Sequence, residues 1–129
     1  MQGLEPLEAA VIEMLLAGDH PSLQKLRAQV AVGRIKSRQS SGAGFFLEFE
    51  VPADVDRPVI KQRSLHITDL TAKLPELMHR VGFILFVREG RLAMLEAQAQ
   101  DEEWPAELTT FELRYTDPSR GSLIDALDE

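Results

Sequence analysis

The N-terminal third of the chain shows apolar positions at the spacing of two amphipathic helices. Between Leu4 and Leu15, leucine, valine and methionine recur every three or four residues, with glutamates between them. Gly18 ends this pattern, Asp19 is a suitable cap for a second helix, and Pro21 is tolerated in the first helical turn. The pattern therefore predicts a helical hairpin.

From Gly33 the period of the pattern changes to two, which is typical of β-strands. The alternation is interrupted by the small residues of 40–44 and then resumes as far as Val51. Two alternating runs joined by a glycine-containing turn predict a β-hairpin. The turn contains a G-x-G, but no strand and helix flank it as dinucleotide binding requires, so no cofactor is predicted there.

One register of this hairpin determines which side chains share a face. It places Arg34 opposite Glu50. It also places Lys36 opposite Glu48, and cross-strand pairs of opposite charge stabilise a sheet. Phe46 then lies on the charged face, so that face is either partly covered or binds another molecule.

Further strands are predicted in the second half of the chain, over residues 65–67, 82–87, 92–97 and 108–115. Pro75 interrupts the pattern of 68–80, which predicts a loop with at most one turn of helix. Gly90 lies in the turn between the two middle strands, where a positive φ is needed. The acidic tail 117–129 is either a short helix or disordered.

Together these elements predict an α+β fold, with an N-terminal helical hairpin packed on a mostly antiparallel sheet of about five strands. One domain covers residues 1–116, and the acidic tail covers 117–129. A length of 129 residues with 44% apolar residues is that of an ordinary globular domain, which buries one core without disulfides or a metal.

The net charge of −7 is concentrated at the C-terminal end of the chain. From Asp101 onward there are nine acidic and two basic residues, whereas the residues before it are neutral in sum. Phosphate binding needs clustered lysines and arginines, so a nucleic-acid partner is disfavoured. A concentrated negative charge favours a basic protein partner, because it speeds association with a positive surface.

The chain contains no cysteine, which excludes a disulfide framework, a thiolate metal site and a cysteine nucleophile. This composition favours a cytoplasmic location. The N-terminal segment lacks the basic residues of a signal peptide. No run reaches the roughly 20 apolar residues that span a bilayer, so no membrane partner is predicted.

No catalytic, cofactor-binding or metal-binding residue is predicted. His66 and Asp69 are three residues apart in a predicted strand region, where this spacing places side chains on opposite faces. No serine stands in a G-x-S-x-G sequence. A small hydrolase that uses carboxylates or His66 stays open as an alternative, and it would require titratable groups that converge in a pocket.

The acidic segment 101–107 contains the single tryptophan of the chain. Large aromatic residues within a charged rim are typical anchors of protein interfaces, although Trp104 would equally serve as a cover for the core. The predicted partner-binding residues are Asp101, Glu102, Glu103, Trp104, Glu107 and Phe46.

A set of short segments, mostly turn glycines and strand aromatics, is spread over residues 4–116. Their sequences are GxGFFxxFxVP at 42–52, GFxLF at 82–86, GRL at 90–92, LE at 95–96, WP at 104–105 and FEL at 111–113. This pattern resembles a group of small uncharacterised bacterial proteins. The resemblance implies a bacterial, stand-alone, cytoplasmic protein, and it implies no activity or site.

The function predicted from these features is that of a protein-binding module, most specifically an immunity or antitoxin-like inhibitor that covers a basic partner. The lack of catalytic motifs favours binding over the hydrolase alternative. A third alternative is a structural homodimer that uses an open edge strand or the exposed hairpin face. The protein is accordingly expected to be either a monomer or a homodimer.

Overall fold

The computed structural model describes residues 1–128, which contain three helices and seven strands. The helices are α1 (Pro6–Leu15), α2 (Pro21–Val32) and α3 (Gly121–Asp128). The strands are β1 (Arg34–Ser40), β2 (Gly44–Glu50), β3 (Ser64–Ile67), β4 (Leu70–Lys73), β5 (Val81–Arg88), β6 (Arg91–Gln98) and β7 (Glu112–Tyr115). Glu129, the last residue of the predicted tail, lies outside the described residues. No helix in 1–128 has the length and apolar character needed to cross a membrane.

The strands form one antiparallel sheet, which confirms the predicted α+β class. Their order is β1-β2-β6-β5-β4-β7, and β3 pairs with the other end of β5 from β4. The described residues contain seven strands instead of about five, partly because β4 lies within 68–80, for which the sequence predicts a loop. Pro75 does not prevent this strand, because Pro75 lies beyond the end of β4. The strand is also held by its pairing with the distant β7.

The helices lie on one face of the sheet, and the core lies between the helices and this face. α1 contacts β4 and β5, whereas α2 contacts β6. α1 and α2 therefore do not pack closely on each other as the predicted helical hairpin would, because each of the two helices packs mainly on the sheet. α3 adds Leu123 and Leu127 to the same core.

Strand alternation divides the sheet into a helix-covered face and an outer face. In β5 the side chains of Val81, Phe83, Leu85 and Val87 are buried under the helices. The side chains between them point to the outer face, and none of the three helices in residues 1–128 covers that side.

A β-bulge in β1 changes the predicted register of the first hairpin. The predicted pairing of Arg34 with Glu50 is confirmed, and their guanidinium and carboxylate are 2.6 Å apart. The predicted pairing of Lys36 with Glu48 is wrong, because Ser37 takes that place. Lys36 is the extra residue of the bulge, and a bulge leaves its extra residue unpaired.

The same bulge reverses the direction of the side chains that follow it. Regular alternation would place Arg38 on the outer face with Arg34. After the register shift, Arg38 pairs with Leu47, whose side chain is buried on the helix-covered face. Arg38 therefore points towards α1, where it meets Glu8.

Candidate functional site

A groove of about 720 Å³ lies between the start of α1, the β1–β2 hairpin and the segment 104–111. We call it the Trp104 groove. Its three walls come from parts of the chain that are distant in sequence, so it exists only in the folded protein. Its lining includes Glu8, Arg38, Phe45, Trp104, Leu108 and Phe111.

The aromatic wall of the groove is held in place by two contacts. The ring of Trp104 meets the ring of Phe45 edge to face, with 5.5 Å between the centroids and 85° between the planes. The backbone N–H of Trp104 donates to the carbonyl oxygen of Gly42 at 2.7 Å. Phe45 is buried and Trp104 is partly exposed, so Trp104 both packs on the core and leaves part of its surface in the groove.

A buried carboxylate and a partly exposed guanidinium line the groove together. The side chain of Glu8 is only 4% exposed and accepts hydrogen bonds of 2.6 and 3.0 Å from Arg38. Glu8 also accepts the backbone N–H of Glu5 at 2.8 Å, as part of a capping box at the start of α1. The buried charge is therefore both paired and hydrogen-bonded.

The guanidinium of Arg38 does not use all of its nitrogens within residues 1–128. Its Nε and Nη2 atoms donate to Glu8 and to the carbonyl oxygen of Gly3, whereas Nη1 has no hydrogen-bond partner within residues 1–128. The side chain is 37% exposed. The hydrogen bond to Glu8 raises the pKa of Arg38, so this group stays a cation.

The lining of the groove carries a net negative charge. Glu5 and Glu107 are exposed at its rim, and Glu8 lies inside. Three carboxylates thus stand against the single guanidinium of Arg38. A groove of this kind repels anions and attracts cationic groups.

The structure divides the predicted residues of the acidic segment. Trp104 and Glu107 line the groove. Asp101 and Glu103 are exposed and do not belong to its lining. The groove thus contains the aromatic residue and one of the predicted carboxylates.

Glu102 has a role in the fold. Its carboxylate accepts the backbone N–H groups of Met78 and His79 at 2.8 and 3.0 Å. These hydrogen bonds lower the pKa of Glu102. The carboxylate thereby ties the acidic segment to the segment that precedes β5.

Phe46 lies on the other side of the sheet from Trp104. Within β2 the side chain of Phe45 faces the groove, and the next side chain points to the outer face. There Phe46 pairs with Gln39 on one side and with Glu96 on the other. The predicted binding residues therefore belong to two separate surfaces.

Sequence reasoning missed Glu8, Arg38 and the apolar residues of 105–111. The spacing of Glu5 and Glu8 around the first helical turn is a signal that indicates the capping box. The direction of Arg38 has no such signal, because the bulge depends on the pairing of β1 with β2. The strand predicted over 108–115 begins only at Glu112, so the position of 105–111 does not follow from strand periodicity.

The surroundings of His66 give no support to the hydrolase alternative. The ring is exposed on β3, lies 3.2 Å from the Oγ of Ser64 and packs edge to face on Phe86 at 4.6 Å. Ser64 is the hydrogen-bond partner of this ring within residues 1–128, and no acid orients it. The same residues contain no group of three His, Cys, Asp or Glu side chains that could hold a metal ion.

Comparisons with known proteins complete this description of the site. No family model, no curated protein and no solved structure matches the chain.

Proposed function

We propose that this protein is a protein-binding module whose Trp104 groove takes an extended, basic segment of another protein. One observation carries the proposal: a single groove combines an aromatic wall, three carboxylates and a guanidinium with a free N–H. Each of these groups matches a different part of such a segment.

The aromatic wall and the rim match the side chains of a basic segment. A lysine or arginine placed over the exposed part of Trp104 gains a cation–π interaction. Glu5 and Glu107 add attraction for the same positive charge. Tryptophan is also among the residues that contribute most to protein interfaces.

Arg38 matches the backbone of an extended segment. Such a segment presents carbonyl oxygens along its length, and the free Nη1 of Arg38 donates to one of them in a charge-assisted hydrogen bond. β1 is an edge strand of the sheet and lies beside the groove, which favours an extended peptide over a compact ligand. A cleft of this volume is of the size that holds a few residues.

The more specific role that we propose is inhibition of the immunity or antitoxin type. When the acidic groove covers the basic segment of a partner, that partner can no longer bind its own anionic substrate or ligand there. Complementary charge also speeds the association of such an inhibitor with its target.

The single tryptophan of the chain gives a direct test of this proposal, because it lies in the groove. The partner is captured on the immobilised protein, eluted with salt and identified by mass spectrometry. The purified partner is then titrated into the protein while Trp104 fluorescence is recorded. We expect the emission to change on binding and the affinity to fall as salt rises.

Two charge variants separate the groove from the net charge of the protein. Glu107→Lys is expected to weaken binding on the order of tenfold, since it removes a rim carboxylate and adds repulsion. Asp54→Lys makes the same charge change in an exposed loop beyond the other end of β2, and it should leave the affinity nearly unchanged. Equal losses in both variants, or binding without a change in Trp104 emission, would contradict the groove as the site.

A further inference from the structure

An extended basic segment lies at the opposite end of β2 from the Trp104 groove. We call it the β2–β3 segment, and it comprises residues 58–63. The side chains of Val59 and Lys61 are exposed, Val59 by 89%, whereas Pro58 is buried and Ile60 is half-buried against the core. This alternation indicates an extended backbone that directs Val59 and Lys61 outward.

The β2–β3 segment is held in shape but leaves hydrogen-bonding groups unused. Pro58 and Ile60 anchor it to the body of the protein, and the carbonyl oxygen of Arg63 accepts the backbone N–H of Glu89 at 2.8 Å. The backbone N–H and C=O groups of 59–61 have no hydrogen-bond partner within residues 1–128. A segment that is already extended loses little conformational entropy when it binds.

The charge of the β2–β3 segment is opposite to that of the groove. Residues 57–63 contain three basic residues and no acidic one, and the aspartate that precedes them already pairs with a lysine of α2. Lys61 has no ion-pair partner within the described part of the chain. Arg63 pairs with Glu89, but both side chains are exposed, so solvent screens this pair. The basic segment and the acidic groove are therefore complementary in charge.

One chain cannot place its own β2–β3 segment in its own groove. Gly44 at the start of β2 lines the groove, whereas the segment follows the other end of this strand. Six steps of about 3.3 Å along β2 put roughly 20 Å between the two ends. The anchored segment therefore reaches only the groove of another molecule.

We propose that the β2–β3 segment of one copy occupies the Trp104 groove of a second copy, an inference that rests on the function proposed for the groove. Lys61 then lies over the exposed part of Trp104 and beside the carboxylate of Glu107, where it gains a cation–π contact and charge attraction. Val59 lies on the same side of the segment, two residues of about 3.3 Å away. It packs on the two apolar side chains of 108–111 that line the groove.

The backbone of the segment supplies the remaining contact. The Nη1 of Arg38, which has no hydrogen-bond partner within its own described chain, donates to one of the unused carbonyl oxygens of 59–61. A second copy thus matches the aromatic, acidic and hydrogen-bonding parts of the groove with one preformed segment.

This contact is heterologous, because the groove of one copy meets a different surface of the next copy. The first copy of an assembly keeps an empty groove and the last keeps an unused segment, so association continues into chains or closed rings. A partner protein has to displace the segment before it binds the groove. Access to the groove therefore depends on the concentration of the protein itself.

Sedimentation velocity of the full-length protein tests the assembly. From low to high micromolar concentration at low salt, we expect the mean mass to rise above that of the monomer, and added salt should lower it again. Glu107→Lys in the groove and V59S/K61S in the segment should each raise the dissociation constant by about tenfold or more, because each removes complementary groups. A monomer at every concentration overturns the proposal.

A mixture of these two variants tests whether unlike surfaces meet. Glu107→Lys keeps an intact segment, whereas V59S/K61S keeps an intact groove. Mixing them in equal amounts should give one-to-one pairs that do not extend, since the groove and the segment left over in each pair are both altered. The proposal is wrong if no such pairs form, or if either variant alone assembles as the unchanged protein does.

Each variant has a matched control at exposed positions outside both surfaces. Glu13→Lys makes the charge change of Glu107→Lys on α1, and V32S/K36S makes the changes of V59S/K61S at the end of α2 and in β1. Both controls should assemble as the unchanged protein does, and circular dichroism shows that every variant is folded. Equal losses in a variant and its control overturn the proposal.

A synthetic peptide of residues 57–63 distinguishes failure of this inference from failure of the proposed function. It is titrated into the protein at a concentration at which the protein is monomeric, while Trp104 fluorescence is recorded. We expect the emission to change, and to change less when the peptide carries Lys61→Ser. A response to the peptide in a protein that never assembles overturns the self-association and supports the groove as a site for basic segments. Assembly that Glu107→Lys leaves intact overturns this inference alone, because the titration with the captured partner still decides the proposed function.

Discussion

The direction of the Arg38 side chain determines whether its charge lies on the outer face or in the Trp104 groove. Before the bulge, β1 directs Arg34 to the outer face, where it pairs with the exposed Glu50. After the bulge, Arg38 meets the buried carboxylate of Glu8. A buried carboxylate costs stability unless it is paired and hydrogen-bonded, so Arg38 serves the fold as well as the groove.

At the residue scale we expect Arg38→Ala to lower the free energy of unfolding by about 2 kcal/mol, because it leaves Glu8 buried without its partner. The estimate is below that for a fully buried pair, since Arg38 is 37% exposed. Arg34→Ala is the matched control and should lower the free energy of unfolding much less, because its ion pair with Glu50 is exposed and screened by solvent. Urea unfolding measures both values, and equal losses would contradict the role given to Glu8.

The turn between β5 and β6 shows what the sequence does predict at this scale. Gly90 has a φ of +75°, as its place between two alternating runs indicates, and Glu89 before it has a φ of +51°. Such a turn depends on residues that are neighbours in the chain. The direction of Arg38 depends on the pairing of two strands, which local sequence does not specify.

At the scale of elements, the segment between β6 and β7 forms a wall of the groove although it contains no regular structure. Three contacts hold its first half. The backbone N–H of Ala99 donates to Ala43 at 2.7 Å, that of Trp104 donates to Gly42 at 2.7 Å, and the carboxylate of Glu102 accepts two backbone N–H groups. The position of Trp104 therefore depends on Glu102, an acidic residue two positions before it in sequence.

This contact should depend on pH. The pKa of Glu102 is lowered in the folded state by the N–H groups of Met78 and His79. Its contribution to stability is therefore present above the pKa of an unfolded glutamate and is lost as the pH falls through the folded pKa. We expect the amide signals of Met78 and His79 in NMR spectra to shift in this acidic range.

Glu102→Gln should abolish that titration, because no carboxylate is left at this position. Glu103→Gln, one residue away and exposed, should leave it unchanged. A titration of the two amides that persists in Glu102→Gln would assign the pH dependence to another group.

At the scale of the whole molecule, Arg120 joins the C-terminal helix to both layers of the fold. Its guanidinium binds Asp69 at 2.7 and 3.0 Å and donates to the carbonyl oxygens of Leu15 and Ala17 at the end of α1. It also lies 4.6 Å from the ring centroid of Tyr115 in β7. One side chain thus connects α1, the sheet and the start of α3.

We expect Arg120→Ala to lower the free energy of unfolding by about 3 kcal/mol, because it leaves Asp69 without its partner in a largely buried site. Arg63→Ala, which removes an exposed ion pair with Glu89, is the control and should cost at most about 1 kcal/mol. Circular dichroism and Trp104 fluorescence should report the same transition, since the fold has one core. Separate transitions would show that the C-terminal region unfolds by itself.

The sequence by itself determined the α+β class, both N-terminal helices, the two hairpins and the pairing of Arg34 with Glu50, because these follow from periodicity and from neighbouring residues. It also identified Trp104 as a residue of interest. Only the tertiary structure decided that Trp104 and Phe46 lie on opposite faces, that Arg38 turns towards Glu8 and that residues 70–73 form a strand. These outcomes depend on strand pairing and on contacts between residues that are separated in the chain, which local periodicity does not specify.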